Sequence, residues 1–212
     1  AMTRPRAVAR AWDEAGRDVT DLVAHQDGRY LATFARGAYQ VIAQDHFVEF
    51  ELGAEIPQDR RRWLLAHGWV YPTDSSINVA IGQGQHDRPR GLALEAQDEA
   101  GRWVVIAPDL GFPAGKNKTI LIDLSDVTGA GVARARRLRL RTNLEVYWDW
   151  LAVADAVENL PLETTRLRPT RAELRYRWFS QTSHERRDLP EVPLYHQIAN
   201  VGQRWRDQIG YY

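Results

Sequence analysis

Short runs of β-prone residues, each bounded by a turn signal, fill the chain from about residue 28 to about residue 157. Turn residues such as Asp27-Gly28, Arg36-Gly37 and Gly82-Gln83-Gly84 separate these runs. Frequent alternation of strands and turns is typical of an antiparallel sandwich or barrel, and 212 residues are enough for one large domain of this kind. The sequence therefore predicts an all-β protein, a β-sandwich of jelly-roll type.

Period-2 alternation or continuous apolar character marks the predicted strands, whereas helical periodicity marks only two segments. The predicted strands are RYLATF, AYQVIA, HFVEFEL, RRWLLAHGWVY, SINVAIG, GLALEAQ, RWVVIAP, TILIDLS, RRLRLRT and LEVYWDWLAVADAV. The predicted helices are ARAWDEAG (residues 9–16) and YHQIANVGQRWRDQI (residues 195–209).

The character of the chain changes near Asn159, after which proline and arginine are frequent and aliphatic periodicity is weak. We predict a β-sandwich domain over residues 1–158 and a C-terminal arm, short, helical or irregular, over residues 159–212. Aromatic residues after Arg175 favour an arm that packs along the sandwich, because they would otherwise lie in water. The chain stops abruptly at IGYY, which leads us to expect a further module beyond it.

Charge and composition exclude several classes of partner. Lys plus Arg and Asp plus Glu number 28 each, so the net charge is zero and nucleic acid is not a predicted partner. No apolar run approaches the ~20 residues that span a bilayer, so membrane insertion is not predicted either. The chain has no cysteine, which removes disulfides, thiolate metal sites and a cysteine nucleophile from consideration.

A row of arginines alternates with leucines in RRLRLRT. Period 2 places Leu138 and Leu140 on the core face and Arg137, Arg139 and Arg141 on the opposite face. We expect these arginines to pair with carboxylates of neighbouring strands or to lie under the arm. A site for an anion or an acidic glycan is the alternative.

The stretch LEVYWDWLAVADA is apolar on both sides, which is typical of a central strand covered on both faces. We therefore expect its two tryptophans in the core rather than on a sugar-binding surface. Asp149 is the exception among these residues, and a buried carboxylate needs a partner. We predict a structural ion pair of Asp149 with Arg139 or Arg141 of the preceding strand. By strict alternation one side carries Val146, Trp148, Trp150, Ala152 and Ala154, and the other carries Tyr147, Asp149, Leu151 and Val153.

A loop around an X-Pro turn, HGWVYPTDSSIN, is the predicted ligand-binding site. Sugar recognition needs aromatic rings beside carboxylates and amides, because pyranose faces stack on rings while hydroxyls form hydrogen bonds. The alternative is structural, with Asp74 capping the backbone of a turn and Trp69 in the core. The candidate ligand-binding residues are His67, Trp69, Tyr71, Asp74 and Asn78.

No catalytic motif is complete. LGFPAGKNKT fails as a phosphate-binding loop, since Gly111 and Gly115 are one residue too close and Asn117 follows the lysine. The six histidines show no metal-binding spacing, and no nucleophile elbow is present. We predict no cofactor, and a calcium ion in a loop near Asp98 or Asp109 is left open.

Several segments together resemble a module of large bacterial proteins with FG-GAP or tetratricopeptide repeats, of the cartilage-acidic-protein-like (ASPIC/UnbV-associated) kind. They are AWDEAGRDVTDLVAHQDGRYLATF, DHFVEFEL, WLLAHGWVYPTDSSINVAIGQG, DLGFPAGKNKTILIDLS and RLRLRTNLEVYWDWL. The resemblance implies an exported (periplasmic, surface or secreted), multidomain and non-enzymatic protein. The order of DEAGRWVVIAPDLGFPAG and the later strands also resembles the galactose-binding-like jelly roll, which bears on fold alone.

These observations favour a non-catalytic binding or scaffolding module of a larger exported protein, with a glycan or protein ligand. One alternative is a purely structural module that packs against repeats or other domains of its own chain. The other is a hydrolase that uses Asp149 together with Glu145 or Asp123.

Overall fold

The computed structural model describes most of the chain, and strands dominate it. The described residues are 1–53, 61–85, 87–125, 135–158, 160–161, 163–174 and 178–202. The strands are β1 (Arg6–Ala7), β2 (Arg10–Asp13), β3 (Ile42–Glu51), β4 (Arg62–Val70), β5 (Leu92–Gln97), β6 (Trp103–Leu110), β7 (Lys118–Asp123), β8 (Arg137–Leu144), β9 (Val146–Asp155), β10 (Phe179–Ser183) and β11 (Val192–Asn200). The helices are α1 (Thr20–Val23) and α2 (Ser75–Gln83).

Two antiparallel sheets form the sandwich. One has the strand order β1-β9-β4-β7 and the other the order β2-β3-β8-β5-β6. The chain crosses repeatedly between them, since β3, β5, β6 and β8 belong to the five-stranded sheet while β4, β7 and β9 belong to the four-stranded sheet. The predicted jelly-roll type of all-β sandwich is confirmed.

The core lies between the inner faces of the two sheets. Leu138 and Leu140 on β8 are buried, as the alternation predicted, and they meet Leu64 and Leu151 of the opposite sheet in one apolar cluster. Burial of this continuous apolar layer is what holds the two sheets together, because each sheet has one face too apolar for water.

Several elements differ from the prediction. Residues of SINVAIG form helix α2, because Asp74 accepts the backbone N–H of Ile77 and so caps the helix. Arg10–Asp13, predicted as helix, form strand β2 beside β3. RYLATF forms a single isolated bridge, from Leu31 to Trp148, instead of a regular strand. In AYQVIA the strand begins only at Ile42.

The arm carries a hairpin of β10 and β11 where the sequence predicted a helix. β11 takes in the first residues of that predicted helix, and the rest of it, residues 203–209, lies outside the described part of the chain. Residues 163–174 are exposed and contain no helix or strand. The arm meets the sandwich through Leu189, which packs on an aromatic cluster, and Arg187, which binds Glu145.

Candidate functional site

A β-bulge in β9 decides which side chains face outward on the four-stranded sheet. His67 of β4 pairs with Trp150, but the next residue, Gly68, pairs with Trp148, so Asp149 is the extra residue of the bulge. Trp148 belongs to the core between the sheets, whereas Trp150 lies on the outer face with Trp63. The prediction that both tryptophans share one side and lie in the core is therefore wrong for Trp150.

Gly68 makes the bulge sterically feasible. A Cβ at this position would lie 2.3 Å from the carbonyl oxygen of Tyr147 and 3.1 Å from the ring of Trp148. No side chain larger than a hydrogen fits at that distance. A glycine within the apolar run WLLAHGWVY is thus the sequence signal that could have predicted the bulge.

The outer face of the four-stranded sheet carries an apolar centre with a tryptophan at each end. On β4 the side chains are Trp63, Leu65 and His67; opposite them on β9 are Ala154, Ala152 and Trp150. On the other side, β7 contributes Asp123, Leu121 and Thr119 in the same register. Leu65, Ala152 and Ala154 are buried among the two partly exposed tryptophans, and Leu121 is 51% exposed.

His67 connects the Trp150 end of this face to the polar groups around it. It is only 7% exposed. Its Nδ1 lies 2.9 Å from Thr119 Oγ1, and its Nε2 lies 3.0 Å from Gln26 Nε2. Burial lowers the pKa of His67, and the nearby Asp149 carboxylate opposes that shift. Thr119 and Gln26 are exposed, so the buried ring holds two solvent-facing polar groups in place beside Trp150.

Asp149 lies beneath this surface and is 2% exposed. Its Oδ1 accepts the backbone N–H groups of Gly28, at 2.9 Å, and Asp27, at 3.2 Å. Burial raises its pKa, and the two amide hydrogen bonds and His67 offset part of the rise. Asp149 therefore anchors the segment that carries Gln26 onto the sheet.

The predicted ion pair of Asp149 with Arg139 or Arg141 is wrong. Those arginines belong to β8 in the other sheet, because the chain changes sheets between β8 and β9. Arg139 binds Glu49 instead, and Arg141 binds Asp45 and Glu95. The expectation that the arginine row pairs with carboxylates of neighbouring strands is confirmed.

The predicted ligand-binding residues do not form one site. Trp69 is 2% exposed and stacks on Tyr147 at 4.7 Å, so its ring is core. Tyr71 packs against Trp69 and lies under the guanidinium of Arg187. Asp74 caps α2, and Asn78 accepts a hydrogen bond from Thr73. The structural alternative for this loop is the observed one.

Of those five residues, only His67 belongs to the outer face of the four-stranded sheet. It is buried there and holds exposed neighbours in place instead of being exposed itself. Trp150, Trp63 and Gln26, which lie on or beside this face, were not among the predicted ligand-binding residues. The first two lie in strands, where alternation without knowledge of the bulge places Trp150 inward. Gln26 precedes a turn, and nothing local distinguishes it.

The three carboxylates of the hydrolase alternative are engaged separately. Glu145 is 1% exposed and is bound by Arg187 and by the hydroxyl of Tyr147. Asp123 is bound by Arg61. Asp149 accepts the backbone N–H groups of Gly28 and Asp27, so each of the three carboxylates is bound by partners of its own.

The described residues contain no group of three or more His, Asp or Glu side chains placed to hold a metal ion. Asp98 lies in one of the two loops considered for calcium. Its carboxylate accepts hydrogen bonds from the backbone N–H groups of Ala100 and Arg102 in the same turn. Within the same part of the chain, no helix is long and apolar enough to span a membrane.

Comparisons with known proteins give little further information. No protein-family model matches the chain, and no curated protein matches it. The solved structure described as "CpGH89CBM32-6 produced by Clostridium perfringens" is similar over 70% of this chain and 95% of that one, with 11% identity and a TM-score of 0.34. A likeness this weak says nothing about what this chain binds. The resemblance to the FG-GAP-associated bacterial module finds no support in these comparisons.

Proposed function

We propose that this protein is a non-catalytic carbohydrate-binding module that holds its glycan on the outer face of the four-stranded sheet. The observation that carries the proposal is the surroundings of Trp150. Its ring is partly exposed at the end of an apolar surface, and the exposed Gln26 amide and Thr119 hydroxyl lie around the same buried histidine. A ring face for stacking beside fixed hydrogen-bonding groups is what binding of a sugar requires.

The dimensions of the face fit an oligosaccharide better than a single sugar. Trp150 lies opposite His67 and Ala154 lies opposite Trp63. The two tryptophans are therefore separated by four residues along the strands, about 13 Å. Between them, Leu65 and the two alanines are themselves buried, so further sugar rings would contact the two tryptophans and the exposed Leu121 of β7.

Affinity electrophoresis tests the proposal. Native gels are cast with a series of neutral and acidic polysaccharides, and the migration of the wild-type chain is compared with that of Trp150→Ala. We expect retardation of the wild type by at least one neutral polysaccharide and none of the variant. Trp103→Ala is the matched control, because Trp103 is a partly exposed tryptophan of the other sheet and is stacked on Arg139.

If no polysaccharide retards the wild-type chain, or if Trp150→Ala is retarded as strongly as wild type, the proposal is wrong. Circular dichroism of each variant separates loss of the ring from loss of the fold.

A second candidate function is a structural module that packs against other domains of its own chain. Exposed apolar side chains on and beside β11 favour it, including Val192 at 49%, Tyr195 at 65%, Ile198 at 52% and Val201 at 64%. Charged substitutions at Val192 and Ile198 test it, since they should lower self-association or dye binding of the isolated chain without affecting its retardation by polysaccharides. Unchanged self-association and dye binding would count against this role.

A further inference from the structure

The two hydrogen bonds of His67 define its protonation state. An amide nitrogen can only donate, so at 3.0 Å from Gln26 Nε2 the ring nitrogen Nε2 must be the acceptor and carries no proton. The neutral ring then has its proton on Nδ1 and donates it to Thr119 Oγ1. Because the ring is 7% exposed, it has little access to solvent as another partner.

This arrangement fixes what the neighbouring exposed groups can offer. Thr119 accepts from His67, which leaves its own O–H to donate outward. Gln26 donates one amide N–H to His67, so its carbonyl oxygen points away from the ring. Beside Trp150 the surface therefore presents the Thr119 hydroxyl as a donor, the Gln26 carbonyl oxygen as an acceptor and the second N–H of the Gln26 amide.

The charges around His67 are few and mostly compensated. From β9, Asp149 lies beneath the ring and is held by the amides of Gly28 and Asp27. Above it, the Asp27 carboxylate is bound by Arg29. On β7, Lys118 is exposed next to Thr119, and His25 is exposed next to Gln26. A carboxylate-bearing sugar stacked on Trp150 would bring a second negative charge near Asp149. Among the described residues Asp149 is held by amide N–H groups and pairs with no arginine that would offset the repulsion.

We infer that His67 is the positioning residue of this surface, that the buried Asp149 beside it disfavours a negatively charged sugar, and that protonation of His67 lowers the affinity. The sugar donates one hydroxyl to Gln26 Oε1 and accepts from Thr119 Oγ1 while a ring face stacks on Trp150. The inference rests on the proposed function and adds the ligand class and a pH dependence to it.

The pH dependence follows from the hydrogen bonds. A protonated His67 has two N–H donors and cannot accept from Gln26, so the amide must rotate and present its NH₂ group to the ligand in place of the oxygen. Binding is therefore tightest with the neutral ring. Affinity is full above the His67 pKa and decreases as the pH falls through it.

The experiment measures affinity for a neutral polysaccharide with the full chain at about pH 7.5 and at the lower pH at which nitrogen spectra of the histidine rings show His67 protonated. Burial lowers the pKa of His67, so this second pH lies below the ordinary range of histidine. For the wild type we expect affinity to fall about tenfold, the equivalent of one hydrogen bond, between the two conditions. Polygalacturonate, an acidic polysaccharide, should not bind at either pH. His67→Asn keeps a donor for Thr119 but does not titrate, so it should bind weakly with a flat pH profile. His196→Asn, an exposed histidine of the arm, is the matched control and should behave as wild type.

Long-range ¹H–¹⁵N correlation spectra of the histidine rings give a readout that needs no ligand. They should show His67 with its proton on Nδ1 at neutral pH. A proton on Nε2, an unchanged pH profile in His67→Asn, or preferential binding of the acidic polysaccharide overturns the inference while the proposed function survives. Failure of every polysaccharide to bind at both pH values instead overturns the proposed function, and the ligand class with it.

Discussion

The outer faces of the two sheets carry similar residues but use them differently. On the five-stranded sheet, Arg139 lies between the rings of Phe47 and Trp103, at 3.9 and 3.7 Å, and binds Glu49. Arg137 lies over Trp12 and binds the same carboxylate. On the four-stranded sheet, Arg61 lies over Trp63, but within the described part of the chain no arginine stacks on Trp150.

The difference shows why exposed aromatic residues alone do not identify a binding surface. On the five-stranded sheet each ring is already stacked on a guanidinium that is itself paired with a carboxylate, so a ligand would have to displace internal contacts. Among the described residues no guanidinium covers Trp150, and the polar groups beside it are held by a buried ring instead of by charges. The first face therefore stabilises the fold, and the second is the face that we propose for binding.

The bulge that turns Trp150 outward gives the largest predicted effect. Gly68→Ala places a methyl group 2.3 Å from the backbone of Tyr147, so the bulge must open or the strands must separate. We expect a loss of about 3 kcal/mol or more in the free energy of unfolding, measured by urea denaturation. Gly82→Ala is the control, since a Cβ there meets nothing within 4 Å. Equal stability of the two variants would remove the steric basis of the bulge.

Removing an ion pair from the outer face of the five-stranded sheet should lower the stability of the fold and leave polysaccharide binding unchanged. Glu49 is 6% exposed and holds both Arg137 and Arg139. Glu49→Ala leaves two guanidinium groups without that partner, and we expect a loss of about 2 kcal/mol in the free energy of unfolding. Polysaccharide binding should stay at the wild-type level. Glu163→Ala, at an exposed position of the arm, should change neither quantity. A clear loss of binding in Glu49→Ala would contradict the division between the faces.

The two faces also predict opposite effects of removing a carboxylate charge. For Asp45, burial tends to raise the pKa, but the hydrogen bond and charge of Arg141 outweigh it and the pKa is lowered. The ionised form of Asp45 therefore stabilises the fold at pH values above 3.8, the ordinary pKa of an aspartate. That stabilisation is lost as the pH falls through the lowered pKa of the folded state. Asp45→Asn should cost about 1 kcal/mol at neutral pH, and the difference from wild type should shrink in acid.

Burial raises the pKa of Asp149, so its contribution is greatest at low pH and is lost as the pH rises through the raised value. Asp149→Asn keeps an oxygen for the amides of Gly28 and Asp27, because both bonds go to Oδ1. Thermal unfolding at neutral pH should therefore show this variant as stable as wild type or more so. A large loss of stability would mean that the charge itself is needed there.

Trp63, at the far end of the proposed binding face, should give the smallest effect when it is replaced. Trp63 is partly covered by Arg61 at 5.2 Å, so it offers a ligand less ring surface than Trp150 does. We expect Trp63→Ala to weaken binding of a long polysaccharide about threefold and to leave binding of a short oligosaccharide unchanged, as measured by calorimetry. An equal loss for both lengths would place Trp63 in the same subsite as Trp150.

Features set by local alternation could be predicted from the sequence. The buried Leu138 and Leu140, the outward arginines between them and the all-β class all follow from period 2, because one face of each strand must meet the core. Helix α2 carried a start signal in Asp74 that the apolar run SINVAIG obscured.

Features set by pairing between distant strands could not be predicted. The position of the bulge depends on the register of β9 against β4, and a shift of one residue moves Trp150 to the opposite face. The partner of Asp149 depends on which sheet each strand joins, and two strands adjacent in sequence, β8 and β9, lie in different sheets. The site was missed because both of its determinants are of this kind.

Oxidative footprinting of the tryptophans, with and without a bound polysaccharide, tests the central claim most directly. Each ring reports its own exposure by mass spectrometry, so the face that binds is identified without mutation. We predict that the polysaccharide protects Trp150, and Trp63 more weakly, while Trp12 and Trp103 are oxidised to the same extent in both samples. Protection of Trp12 or Trp103 with Trp150 unchanged would contradict the assignment of the four-stranded sheet as the binding face.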